Sequence, residues 1–89
     1  MLFMVIERTR PENVQAVGAR FREKGRMTPD NVIYHASWLE MSGATCFQVM
    51  EAPTPESLQG WIRNWQDLVD FEVIPVLTSA EFWAKQNQK

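Results

Sequence analysis

The chain has 89 residues, 45% of them apolar, with four Trp, five Phe and a formal net charge of -2. A chain this short buries only about 60–65% of the surface its unfolded form exposes, so a lone subunit has a thin core and a second copy is a natural remedy. The aromatic content excludes a disordered chain, and the acidic balance offers no basic field to nucleic acid. A single Cys excludes an internal disulfide framework and suits a reducing, cytoplasmic compartment.

Residues 2 to 7 read as a strand. Its run Leu2-Phe3-Met4-Val5-Ile6 does not alternate, the pattern of a central strand covered on both faces. The apolar start is too short for a signal peptide or a membrane span, so no membrane partner is expected. Thr9-Arg10-Pro11-Glu12 predicts a capping box, and the helix it opens carries Val14, Val17, Gly18 and Phe21 at helical spacing before Gly25 ends it. A loop through Met27 to Asn31 leads into a hairpin over residues 32 to 51, built from Val32–Leu39 and Thr45–Glu51 around Met41-Ser42-Gly43-Ala44.

Thr54 and Pro55 are the N-cap and first residue of a second helix with Leu58, Trp61, Ile62 and Trp65 on one stripe. Phe71 to Leu77 reads as the fourth strand, and Pro75 inside it requires a sheet edge. Thr78-Ser79-Ala80-Glu81 caps a short last helix bearing Phe82 and Trp83, followed by a polar, frayed tail over Gln86 to Lys89. The order is therefore β-α-β-β-α-β plus a C-terminal helix. It defines an α+β, ferredoxin-like sandwich with sheet order 4-1-3-2, in one domain over residues 1–89. Two helices cover one sheet face only, while strand 1 is apolar on both. A homodimer through the open sheet face is expected.

Almost all the buriable polar chemistry lies in the hairpin. A two-residue Ser42-Gly43 turn places Ser37 opposite Gln48, His35 opposite Met50, Trp38 opposite Phe47 and Ala36 opposite Val49. His35, Ser37, Cys46 and Gln48 then share one face, and Tyr34, Ala36, Trp38, Phe47, Val49 and Glu51 the other. A three-residue loop with Gly43 left-handed would shift the pairing by one and mix the faces. In the segregated register His35 and Cys46 are roughly 13 Å apart at ~3.3 Å per residue, too far for a thiolate–imidazole pair.

Two readings of that face stand side by side. In one, His35, Ser37 and Gln48 line a cavity for an oxygen-bearing small molecule, with His35 as acid or base and Trp61 and Trp65 as its roof. In the other, the polar groups bond to each other, Cys46 is a small hydrophobe and the Trp pair is core. Glu51 and Glu72 are expected to make surface ion pairs with Arg20, Arg22 or Arg63. One His and one Cys at opposite ends of a face cannot complete a tetrahedral site, so neither metal nor cofactor is expected.

The element order, together with Phe21-Arg22-Glu23-Lys24-Gly25-Arg26-Met27, Ser37-Trp38, Cys46-Phe47-Gln48-Val49-Met50-Glu51, Trp61, Trp65 and Phe71-Glu72-Val73-Ile74-Pro75-Val76, resembles a family of short uncharacterised bacterial proteins classed as a domain of unknown function. That family is similar to the dimeric α/β-barrel superfamily. In the superfamily two ferredoxin-like sheets pack face to face, and its members include cofactor-free quinone-forming monooxygenases, muconolactone isomerases, haem-degrading enzymes and stress-responsive barrel proteins. The resemblance implies architecture but transfers no catalytic motif. Three classes follow: a barrel that binds or transforms a small hydrophobic oxygenated molecule, a non-catalytic dimeric sensing or protein-interaction module, and an RNA-recognition-type domain. The acidic balance disfavours the last.

Overall fold

The apolar run at the start of the chain becomes the strand on which both neighbours pair. This computed structural model describes residues 1–87. Strands β1 (Leu2–Thr9), β2 (Ile33–Leu39), β3 (Thr45–Glu51) and β4 (Val69–Val76) form one antiparallel sheet, accompanied by helices α1 (Val14–Lys24), α2 (Gln59–Arg63) and α3 (Ser79–Gln86). The strand order is β2-β3-β1-β4, which read from the β4 edge is 4-1-3-2. Pro75 therefore sits on an edge strand, where its missing amide leaves one side of the ladder intact.

Alternation along β1 separates two environments. Phe3, Val5 and Glu7 lie opposite Met50, Gln48 and Cys46 on β3 and opposite Pro75, Val73 and Phe71 on β4, so these residues share one face. There Phe3, Val5, Met50 and Leu58 are completely buried and cluster with Val32, Ala52, Trp61, Ile62 and Trp65. The other face carries Met4 and Ile6 between Phe47, Val49 and Ile74. Beyond them lie Ile33 and Trp38, and Trp38, Ile33, Phe47 and Ile74 all remain exposed.

Local signals hold at α2 and α3. The Thr54 hydroxyl accepts from the Ser57 amide at 3.3 Å, and Pro55 opens a 3-10 turn, Pro55–Leu58, that runs into α2. At α3 the capping box is complete, with the Glu81 amide donating to Thr78 Oγ1 at 3.0 Å and the Thr78 amide donating to Glu81 Oε1 at 3.1 Å. Yet α3 has no buried residue and makes little contact with the rest of the chain. Of the tail expected to fray, Gln86 closes α3, and Gln88 and Lys89 lie outside the described residues.

Four expectations need correction. The Thr9 capping box does not form, because β1 extends through Thr9, which pairs with Val69 and donates its amide to Ala44 at 2.7 Å. Arg10 takes the N-cap position without a side-chain bond, and a 3-10 turn, Pro11–Asn13, precedes α1. Met41 and Ala44 do not pair across a two-residue turn; the Glu40 amide bonds the Thr45 carbonyl at 2.8 Å, leaving a four-residue loop in which Gly43 has φ 80°. Glu72 pairs with Arg8 and Glu51 with His35, while Arg20 goes to Asp67.

His35 does not share a face with Ser37 and Gln48. Ser37, Trp38 and Ala36 do face Gln48, Phe47 and Val49, but a bulge between Tyr34 and Ala36 places Tyr34 opposite Met50 and Ile33 opposite Glu51. The extra residue of the bulge is His35, and the one-residue shift sends it to the face expected for Tyr34. Its Nε2 lies 2.8 Å from Glu51 Oε1, away from Ser37 and Gln48.

Burial and capping predict different costs. Phe3→Ala, which empties a completely buried site, should lower unfolding free energy by about 3–5 kcal/mol. Thr54→Ala, which removes one cap bond, should cost about 1 kcal/mol. Urea unfolding of the two variants beside the wild type checks both.

Candidate functional site

Helix α1 stands off the sheet. None of its residues is buried, although Val17 touches the core and Phe21 occupies the predicted apolar stripe. The space beneath it is a cavity of about 350 Å³. Val17, Phe21, Leu39, Trp61 and Trp65 give it apolar walls, and Glu7, Arg22, Arg26, Ser37, Cys46 and Gln48 bring polar atoms to it.

The loop after α1 delivers Arg26. Gly25 and Met27, the residues on either side of Arg26, both have left-handed φ, 69° and 60°. The loop is pinned to the end of α2: Trp65 Nε1 donates to the Arg26 carbonyl at 3.1 Å, and Asn64 Nδ2 donates to the Met27 carbonyl at 3.3 Å. The guanidinium then donates from Nε to Gln48 Oε1 at 3.2 Å and stacks 3.7 Å from the centre of the Tyr34 ring, with Phe21 at 5.1 Å. Gln48, a buried amide at 3% exposure, thereby gains a charged partner. Tyr34 is held in turn by a 2.7 Å hydrogen bond with the Ser37 hydroxyl.

On the outer side, Arg20 forks onto Asp67 with two contacts of 2.8 Å and donates to the Asn64 carbonyl at 2.9 Å. That fork holds the Asp67 carboxyl below its ordinary range. It also sets the guanidinium 5.7 Å from the Trp65 ring, backing one wall of the cavity. Trp61 meets Phe71 edge to face at 5.3 Å, and its indole N–H is buried with no partner among the described residues.

Glu7 and Cys46 are register partners on the cavity floor. Burial pushes the Glu7 carboxyl up to about 7, against the attraction of Arg26. Burial, followed by the nearby Glu7 charge, pushes the Cys46 thiol up to about 11, so it stays protonated near neutral pH and is a poor nucleophile. None of the ion pairs among the described residues includes Glu7.

Of the residues singled out from the sequence, Ser37, Gln48, Trp61 and Trp65 meet in this cavity, and His35 lies on the opposite sheet face. Glu7 and Arg26 were missed. Parity gave a usable signal for Glu7, which follows Phe3 and Val5 at intervals of two. Arg26 had none, since its direction depends on two unusual backbone angles. Among the described residues no group of three or more His, Cys, Asp and Glu side chains could hold a metal ion, and no helix is long and apolar enough to cross a membrane.

Glu7 makes stability depend on pH. The unfolded carboxyl ionises near 4.5, whereas the folded one keeps its proton up to about 7. The stability supplied by the protonated form is full below about 4.5, declines as pH rises and is gone above about 7. Glu7→Gln should flatten that decline and, at pH 8, stabilise the protein by up to about 3 kcal/mol, the size of such a shift. Urea midpoints from pH 4.5 to 8 check this; parallel curves for both proteins would contradict it.

No curated protein and no solved structure was found to match the chain. A family model does, over its whole length from residue 1 to residue 89. The chain belongs to that family, DUF3303, a domain of unknown function.

Proposed function

We propose that this protein binds, and in a catalytic version of the reading transforms, a small hydrophobic oxygenated molecule in the cavity between α1 and the sheet. The observation that carries this is the composition of the walls. Trp61, Trp65, Phe21 and Val17 supply apolar area, while Arg26, Gln48, Ser37 and Glu7 bring hydrogen-bonding and charged atoms to the same 350 Å³ space. That combination of apolar lining with a few fixed polar groups is the usual make-up of a ligand site. Hydrogen bonds and charge, without a metal, hold the ligand. A thermal-shift screen of phenols and quinones should raise the wild-type melting temperature, and Gln48→Leu should lose that gain. A broad screen with no shift would turn the reading to a non-catalytic sensing or interaction module.

The assembly belongs to the same reading: a cytoplasmic, single-domain homodimer of the ferredoxin-like, dimeric α/β-barrel kind. Exposed Ile33, Trp38, Phe47 and Ile74 on the helix-free face favour a second copy as its cover. So does α3, whose Phe82 and Trp83 are exposed and form an edge-to-face pair at 5.0 Å. Sedimentation at micromolar concentration should give twice the chain mass, and Trp38→Arg should halve it while leaving a folded chain. A folded wild-type monomer would rule out the dimer and leave the cavity reading intact.

A further inference from the structure

Resting on the cavity reading just given, we infer that Glu7 is a general base and Arg26 its oxyanion partner, and that the cavity takes a small arylmethyl ketone or a like carbon acid that enolises there. Two observations carry this. Glu7 occupies the third position of a row whose first two members, Phe3 and Val5, are completely buried, yet it lines an open space. Arg26 lines the same space, is held there by Gln48 Oε1 and the Tyr34 ring, and makes no ion pair with Glu7. A carboxyl and a guanidinium that share a cavity without neutralising each other leave room for a group that gives a proton to one and charge to the other.

The step balances without a co-reactant. The Glu7 carboxylate takes a proton from the carbon beside the ketone, and the C–H electron pair becomes the C=C bond of the enolate. The carbonyl oxygen takes the negative charge beside Arg26. Return of a proton from Glu7 to carbon restores the ketone. The titratable and charged groups facing the cavity are Glu7, Cys46, Arg22 and Arg26. The Cys46 thiol, pushed up to about 11, does not compete as a base near neutral pH. The base form of Glu7 is present above about 7, so the rate should rise with pH through that value and then level.

The test is solvent exchange in phenylacetone. In D₂O, proton NMR follows loss of its methylene signal, and thermal shift follows binding. Wild-type protein should bind the ketone and speed the exchange over buffer. Glu7→Gln should still bind it but lose the acceleration by about 100-fold or more, Arg26→Met should lose rate as well, and Glu23→Gln, on the exposed side of α1, should match wild type. Binding without accelerated exchange, or Glu7→Gln at the wild-type rate, would overturn the role of Glu7 and leave the cavity reading standing. If wild type binds neither phenylacetone nor the screened phenols and quinones, the cavity reading falls and the inference with it.

Discussion

The helix-facing row of the central strand begins with Phe3 and Val5 and turns polar at the carboxyl of Glu7, and that change of chemistry governs what the helices can do above it. Over Phe3 and Val5 the core closes, with Met50, Leu58, Trp61 and Ile62 packed against them. Over Glu7 a closed apolar lid would strand a charge or force it to keep its proton, at a cost of several kcal/mol for an isolated buried ion. Helix α1 stays off the sheet, and the cavity lies at that end. Arg26 enters from the loop and lowers part of the cost without contacting the carboxyl directly.

A second constraint is the bulge in β2. Beyond it the parity of the strand inverts, so Tyr34 and not His35 faces the helices. This places a phenol ring where Arg26 can stack and where Ser37 can bond the hydroxyl. The histidine goes to the open face and pairs with Glu51. One extra residue thus decides which ionisable groups can reach the cavity. The imidazole is excluded, and the carboxyl of Glu7 is left as the group that titrates near neutral pH.

Much of this was legible in the sequence where a local rule had no rival. The pairing of Ala36, Ser37 and Trp38 with Val49, Gln48 and Phe47 followed from separating polar and apolar faces, and Pro75 required an edge strand. Thr54 and Thr78 cap as their positions suggest. Reading failed where two local preferences competed. Thr9 fits a helix cap and a strand equally well, and ladder bonds on both sides of β1 won. No glycine or proline marks the bulge at His35, so alternation through it looked unbroken. The role of Arg26 depends on two left-handed residues and on bonds from Asn64 and Trp65, nearly forty positions away along the chain. Parity places Glu7 on the face of Phe3 and Val5, but the unbroken apolar run at residues 2–6 masks the alternation that would mark that face.

The central claim is that a carboxyl on the cavity floor is held near neutrality by burial, with Arg26 close enough to attract it and yet in no ion pair with it. Carbon-13 NMR of protein labelled at glutamate side-chain carboxyls measures this directly, with Glu7→Gln assigning the resonance. The account predicts a Glu7 midpoint of about 7. A midpoint at the ordinary glutamate value of about 4.5 would contradict it, because the site would then be wet or the carboxyl already paired.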